Sequence, residues 1–199
     1  MLDRENAVLV VVDVQSRLLG QIHEAEETVR QITRIMRGFQ IVEAPVVVTE
    51  QYRKGLGSTH RAIQETALSG SEPGDIQIGL DAPHLVLDEF KMLEKMTFSC
   101  AADEGILQHL RGLGRTQIVL TGIEAHVCVL QTALNLVDQG FETYVVADAV
   151  SSRQKRNVDI ALRRMEQEGV LFTSVEMAIF EMLHICGTDA FKRWLKVIK

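Results

Sequence analysis

The chain has 199 residues, of which 46% are hydrophobic and 24% charged, so it can bury a full apolar core, and we read residues 1–199 as one domain. The formal net charge is −6 with no basic stripe, which excludes nucleic acid as a default partner and marks the acidic residues as a solvated surface. No apolar run approaches the roughly 20 residues of a membrane span, so no membrane partner is expected.

In chain order, Ala7–Val12 is a continuous, β-branched apolar run and predicts a buried strand. From Ala25 to Val42 the apolar residues Val29, Ile32, Ile35, Met36 and Phe39 recur at spacings of three and four, a helix with one buried face. Pro45 stops it, and Val46–Thr49 follows as a strand. Residues 52–85 are broken by Gly55, Gly57, Ser69-Gly70-Ser71, Pro73-Gly74 and Pro83, which predicts a functional loop or one carrying short helices. A brief strand near Leu85–Leu87 comes next.

Ala101–Leu113 reads as a helix ended by Gly112 and Gly114, and Gln117–Thr121 as a strand. Ala125–Val137 places Val127, Leu130, Leu134 and Val137 on one helical face, with Gly140 past the end. Thr143–Ala147 is a strand, Arg156–Gln167 a helix and Val170–Thr173 a short strand, and Val175–His184 and Thr188–Val197 close the chain as helices. Alternation of this kind gives an α/β domain: a six-stranded, mostly parallel sheet with helices on both faces. Trp194, with Phe191 and Leu195, forms a docking face on the last helix, toward the core or a neighbouring subunit.

Open α/β sheets bind ligands beyond the carboxyl ends of their strands. Asp13 lies just past the first strand, Lys95 follows the strand near residue 86, and Cys128 follows the strand at 117–121. At the first turn of a helix, unpaired N–H groups and the dipole favour thiolate, and an ammonium from Lys95 would push the same way. Asp13 could take the thiol proton and pass it to a leaving group, while backbone N–H groups near Cys128 form an oxyanion hole. Each residue alone also has a plainer reading: a packed cysteine, a capping aspartate, a solvated lysine.

Val12-Asp13-Val14-Gln15, then Lys95-Met96-Thr97-Phe98-Ser99, then Gly122-Ile123-Glu124-Ala125-His126-Val127-Cys128-Val129 resembles the three-part signature of the isochorismatase-like cysteine hydrolases. The stretch Thr49–Gly57 is similar to the isochorismatase-domain-containing subgroup, whose substrate is not well defined. The resemblance implies a strand order of 3-2-1-4-5-6 and a catalytic Asp13, Lys95 and Cys128. It also implies a cis peptide at Ile123–Glu124 that helps shape the oxyanion hole with Cys128. Gln15, Gln51, Tyr52 and Phe98 are the expected substrate-binding residues, and the substrate is a small molecule with an amide or related C–N or C–O bond. A non-catalytic oligomeric binding protein is the alternative, and a redox-sensing thiol protein ranks below it.

Nicotinamidases of the same superfamily carry an Asp-x-His metal site after the second strand; here that position reads Glu50-Gln51-Tyr52. His60 and His84 are scattered and read as surface residues, so no metal and no other cofactor is expected. His126 reads as structural or pocket-lining, and Cys100 as a packed residue that approaches the site. Arg53, Lys54 and Arg153 could contact an anionic substrate, although solvated arginines are the plainer reading. Three cysteines without paired spacing, and an N-terminus lacking signal-peptide character, point to a reducing, cytoplasmic location. The resemblance further implies a homo-oligomer, dimer or tetramer.

Overall fold

The computed structural model describes residues 1–69 and 92–199. Strand β1, Ala7–Val12, is buried along its whole length. It runs parallel to β2, Val46–Gln51, on one side and to β4, Gln117–Ile123, on the other. A strand paired on both edges and covered on both faces has no solvent side, which is why its sequence does not alternate. With β3 (Leu93–Lys95), β5 (Glu142–Ser151) and β6 (Leu171–Thr173), the sheet has the order β3-β2-β1-β4-β5-β6. Every pairing is parallel.

One face is covered by α2 (Ala25–Ile41), α8 (Val175–Leu183) and α9 (Asp189–Ile198), around a core that includes Ile32, Ile35, Phe39, Ile179 and Trp194. The other face carries α5 (Glu104–Gly112), α6 (Leu130–Asp138) and α7 (Lys155–Gln167), over Val8, Val10, Ile118, Leu120 and Val145. Trp194 is fully buried and meets Phe180 edge-on, so the last helix docks into the core of its own chain. Gly38 admits α8 to α2: a Cβ there would lie 2.3 Å from Ile179 Cδ1. Among the described residues no helix is long and apolar enough to cross a membrane.

Several expected boundaries move. The segment after Tyr52 contains two short helices, α3 (Arg53–Leu56) and α4 (Arg61–Ser69). A further single turn, α1 (Ser16–Leu19), follows β1. The expected strand at Leu85–Leu87 lies outside the described residues. The third strand seen is Leu93–Lys95, so Lys95 sits on a strand rather than in a loop. The helix expected from Ala101 starts at Glu104, because the Asp103 side chain accepts the Ile106 N–H and caps it there. The helix expected over Ala125–Val137 opens with a π-helical turn, Ala125–Val129, before α6 begins at Leu130. Strand β5 runs on to Ser151, because it pairs with β4 on both sides of a register shift.

Candidate active site

Strand β1 delivers Asp13 to the carboxyl edge of the sheet, where its backbone turns left-handed at φ 52°. The Asp13 N–H donates to Thr49 O, tying this turn to β2. Thr49 and Gln51 are two apart on β2 and so point to the same face, with Glu50 on the other. The register then sets Lys95 of β3 beside Gln51. Three neighbouring strands thus place Asp13, Thr49, Gln51 and Lys95 together.

Lys95 is 1% exposed and its ammonium is enclosed by acceptors. It donates to Asp13 Oδ2 at 2.6 Å, Gln51 Oε1 at 2.9 Å, Phe98 O at 3.0 Å and Thr97 O at 3.2 Å. The second Asp13 oxygen accepts from Thr49 Oγ1 at 2.8 Å. Burial works against the charge on Lys95, yet the attraction of Asp13, and then of the neighbouring cysteines, outweighs it and holds the ammonium above the usual lysine range.

Cys128 reaches the same place from β4. The strand ends at Ile123, the Ile123–Glu124 peptide is cis, and the π-helical turn follows. The Glu124 carbonyl accepts from Val127 N–H at 3.0 Å and Val129 N–H at 3.2 Å, bonds that bracket Cys128. The helix start and Lys95 predict an acidified thiol, and the structure corrects that. Burial first, and then the charge of Asp13, push the Cys128 thiol up, against the opposing pull of Lys95. The resting arrangement is therefore a neutral thiol beside an ion pair. Cys100 is fully buried, 3.7 Å from Thr49 Oγ1, and is pushed up to about 11 by burial and by Asp13.

A cavity of about 240 Å³ opens over this group, lined by Asp13, Leu18, Gln51, Leu56, Phe98, Glu124, Val127, Cys128 and Arg153. Of the expected substrate-binding residues, Gln51 and Phe98 line it, whereas Gln15 and Tyr52 do not. Gln15 is a fully buried strut: its amide donates to Gly57 O at 2.6 Å and accepts from Gln51 N at 2.8 Å. Tyr52 is solvent-exposed, in a left-handed turn ahead of α3. Leu18, Leu56 and Val127 were missed as cavity residues: Leu18 lies outside the three motifs, and Leu56 and Val127 lie within quoted stretches but are apolar residues with no chemistry of their own. The Glu124 side chain was missed because only its backbone was considered.

At the Glu50-Gln51-Tyr52 position, Glu50 Oε1 accepts from Thr59 N at 2.6 Å and Thr59 Oγ1 at 2.8 Å, and Oε2 pairs with Arg53. Among the described residues no group of three or more His, Cys, Asp or Glu side chains could hold a metal ion. His60 is buried at 3%, not on the surface as expected, because its N–H docks on Val14 O. His84 lies outside the described residues. His126 Nδ1 bonds Ser152 Oγ at 3.0 Å, which braces the π-helical turn.

The doubly wound parallel sheet, with polar chemistry gathered at the carboxyl ends of β1–β4, is a hydrolase fold of the three-layer α/β class. The chain belongs to the isochorismatase family: the model of the Isochorismatase domain matches residues 7–177. It is 37% identical to the secreted isochorismatase effector Isc1 of Phytophthora sojae, over 98% of this chain and 85% of that one. It is 32% identical to isochorismatase domain-containing protein 2 of Xenopus laevis, over 99% and 85%. Among solved structures, the MAR1 ribonuclease of Caenorhabditis elegans superposes with a TM-score of 0.82 at 30% identity, covering 99% of this chain and 91% of that one.

Proposed function

We propose that this chain is a cysteine-dependent hydrolase of small amides or related C–N or C–O bonds, with Cys128 as nucleophile, Asp13 as proton carrier and Lys95 as its counter-ion. The observation that carries this reading is that Asp13 and Cys128 line one cavity while the Lys95 ammonium sits 2.6 Å from Asp13 beneath it. The triad is neutral before and after proton transfer: thiol, carboxylate and ammonium become thiolate, carboxylic acid and ammonium. Moving the proton from Cys128 to Asp13 removes the negative charge that, after burial, holds the thiol up.

For an amide, the Cys128 Sγ–H proton passes to Asp13 as sulfur bonds to the carbonyl carbon, and the carbonyl π electrons move to oxygen. Backbone N–H groups of Cys128 and its turn stabilise that oxyanion. Collapse breaks the C–N bond, and the amine leaves with the Asp13 proton. Water then gives a proton to Asp13 as it attacks the thioester, and the thiolate departs and recovers that proton.

A cavity of about 240 Å³ suits a small molecule, being below the roughly 300–1,000 Å³ of drug-sized pockets. With a net charge of −6, the chain is also ill-suited to a polyanion, although the C. elegans neighbour is named a ribonuclease. Metal independence is part of the proposal, supported by the engagement of Glu50 with Thr59 and Arg53. A reducing, cytoplasmic location is supported by the free Cys100, Cys128 and Cys186. A homo-oligomer is supported by exposed Met177, Phe180 and Ile185 on and beside α8, and sedimentation would count its subunits.

The test is a screen of small amides with the wild type and Cys128→Ala. Turnover should vanish in the variant while its melting temperature stays within a few degrees. Unchanged turnover would overturn the assignment.

A further inference from the structure

Most polar groups around the cavity have their hydrogen bonds filled. Asp13 accepts from Thr49 and Lys95, and Lys95 is surrounded by four acceptors. Gln51 gives its carbonyl to Lys95 and its amide N–H to Met96 O at 2.9 Å. Leu18, Leu56, Phe98 and Val127 offer apolar wall.

Two lining residues keep open capacity, and they are paired. Glu124 is 6% exposed. Its Oε2 accepts from the Arg153 backbone N–H at 3.0 Å and from Arg153 Nε at 3.1 Å. Among the described residues its Oε1 has no partner, and the terminal Nη groups of Arg153 have none either. An acceptor and a donor fork therefore stand side by side on the cavity wall, with their charges already balanced.

We propose that Glu124 and Arg153 form the substrate-reading element of this site. The matching substrate carries, besides the scissile bond, a neutral group with an N–H donor next to a C=O acceptor: a carboxamide, ureide or lactam. This rests on the hydrolase reading above. The N–H of such a group donates to Glu124 Oε1 while its carbonyl accepts from Arg153. A carboxylate in that place meets the like charge of Glu124, and an alkyl group leaves the buried Glu124 Oε1 without a donor while half-exposed Arg153 keeps water.

Three alkylating probes of matched size test this: chloroacetyl-glycinamide, chloroacetyl-glycine and N-butylchloroacetamide. Each forms an Sγ–C bond at Cys128 as the C–Cl bond breaks and chloride leaves, with the thiol proton passing to Asp13 or solvent. Rates are divided by those with glutathione, and modification at Cys128 is read by mass spectrometry. The glycinamide probe should exceed each of the others by about tenfold, the effect of one to two well-placed hydrogen bonds. In Glu124→Gln the glycine probe should gain on the butyl probe by about threefold or more, because Arg153 loses its counter-charge. The wild-type order stands as a test by itself should that variant fail to fold.

Equal normalised rates for the three probes, a carboxylate probe that leads in the wild type, or a glycine-to-butyl rate ratio unchanged in a folded Glu124→Gln would each overturn the proposal while leaving Cys128 as nucleophile. If none of the probes labels Cys128 even after prolonged exposure that has fully modified Cys186, the nucleophile reading falls and takes this one with it.

Discussion

Replacing Lys95 by Met keeps the length and apolar stem of the side chain but removes the ammonium bonded to Asp13. Both side chains of that pair are fully buried, so Asp13 would be left charged, in the core, with the Thr49 hydroxyl still donating to it. Breaking a buried pair at one end costs about 3–5 kcal/mol, most of it the penalty on the charge left behind. With an m-value of about 2 kcal/mol/M, the urea midpoint should fall by about 2 M. Lys95→Met with Asp13→Asn should recover at least half of that loss, since the stranded charge is gone. Because the folded Lys95 is held above its usual value, its contribution is complete below pH of about 10.4 and is lost only as pH rises through the higher folded value. The wild-type-to-variant gap should therefore stay constant from pH 6 to 9. A midpoint shift under about 0.5 M, or a double variant no more stable than the single one, would refute this reasoning.

At Gly122, φ is +117° and a Cβ would sit 2.1 Å from Val12 O, a backbone atom that cannot yield, so Gly122→Ala should lose more than about 3 kcal/mol in denaturant melts. A soluble variant with the wild-type midpoint would contradict the packing of β4 on β1. Thr49→Val preserves shape but removes the donor to Asp13 Oδ1, and should cost about 1.5–3 kcal/mol by the same melts. Since burial and Asp13 push both inner thiols up, Cys186 should react first with a disulfide reagent at pH 8. Alkylation of Cys128 by iodoacetamide should keep climbing between pH 7 and 10, and a plateau below pH 8 would count against that direction.

The strand pattern was legible because β1 and β4 are buried on both faces and write that fact as unbroken apolar runs. The three motifs were legible because they stand at the carboxyl ends of β1, β3 and β4, where side chains leave the sheet. What local spacing could not show was charge balance. The helix start and Lys95 both favour an acid thiol, but Lys95 is already bonded to Asp13, and burial raises the thiol. Gln15 and Gln51 look alike as polar residues near strand ends, yet one ties the Gly57 turn to the end of β2 and the other faces the cavity. Only the tertiary partner separates them. Likewise, Glu124 and Arg153 are 29 residues apart, and no periodicity links them.

The pairing of Gln51 with Lys95 means that the ammonium under Asp13 is carried by a three-residue strand at the rim of the described sheet. Rim strands open more readily than the interior, in excursions far smaller than global unfolding. Each such excursion of β3 would withdraw the cation and leave β1, β2 and β4 standing, an assembled scaffold in which Asp13 has lost its counter-charge. The Tyr52 amide, bonded to Lys95 O, reports that event through its hydrogen exchange. The lifetime of the charged site is thus set by the attachment of its shortest strand, well below the stability of the fold that surrounds it.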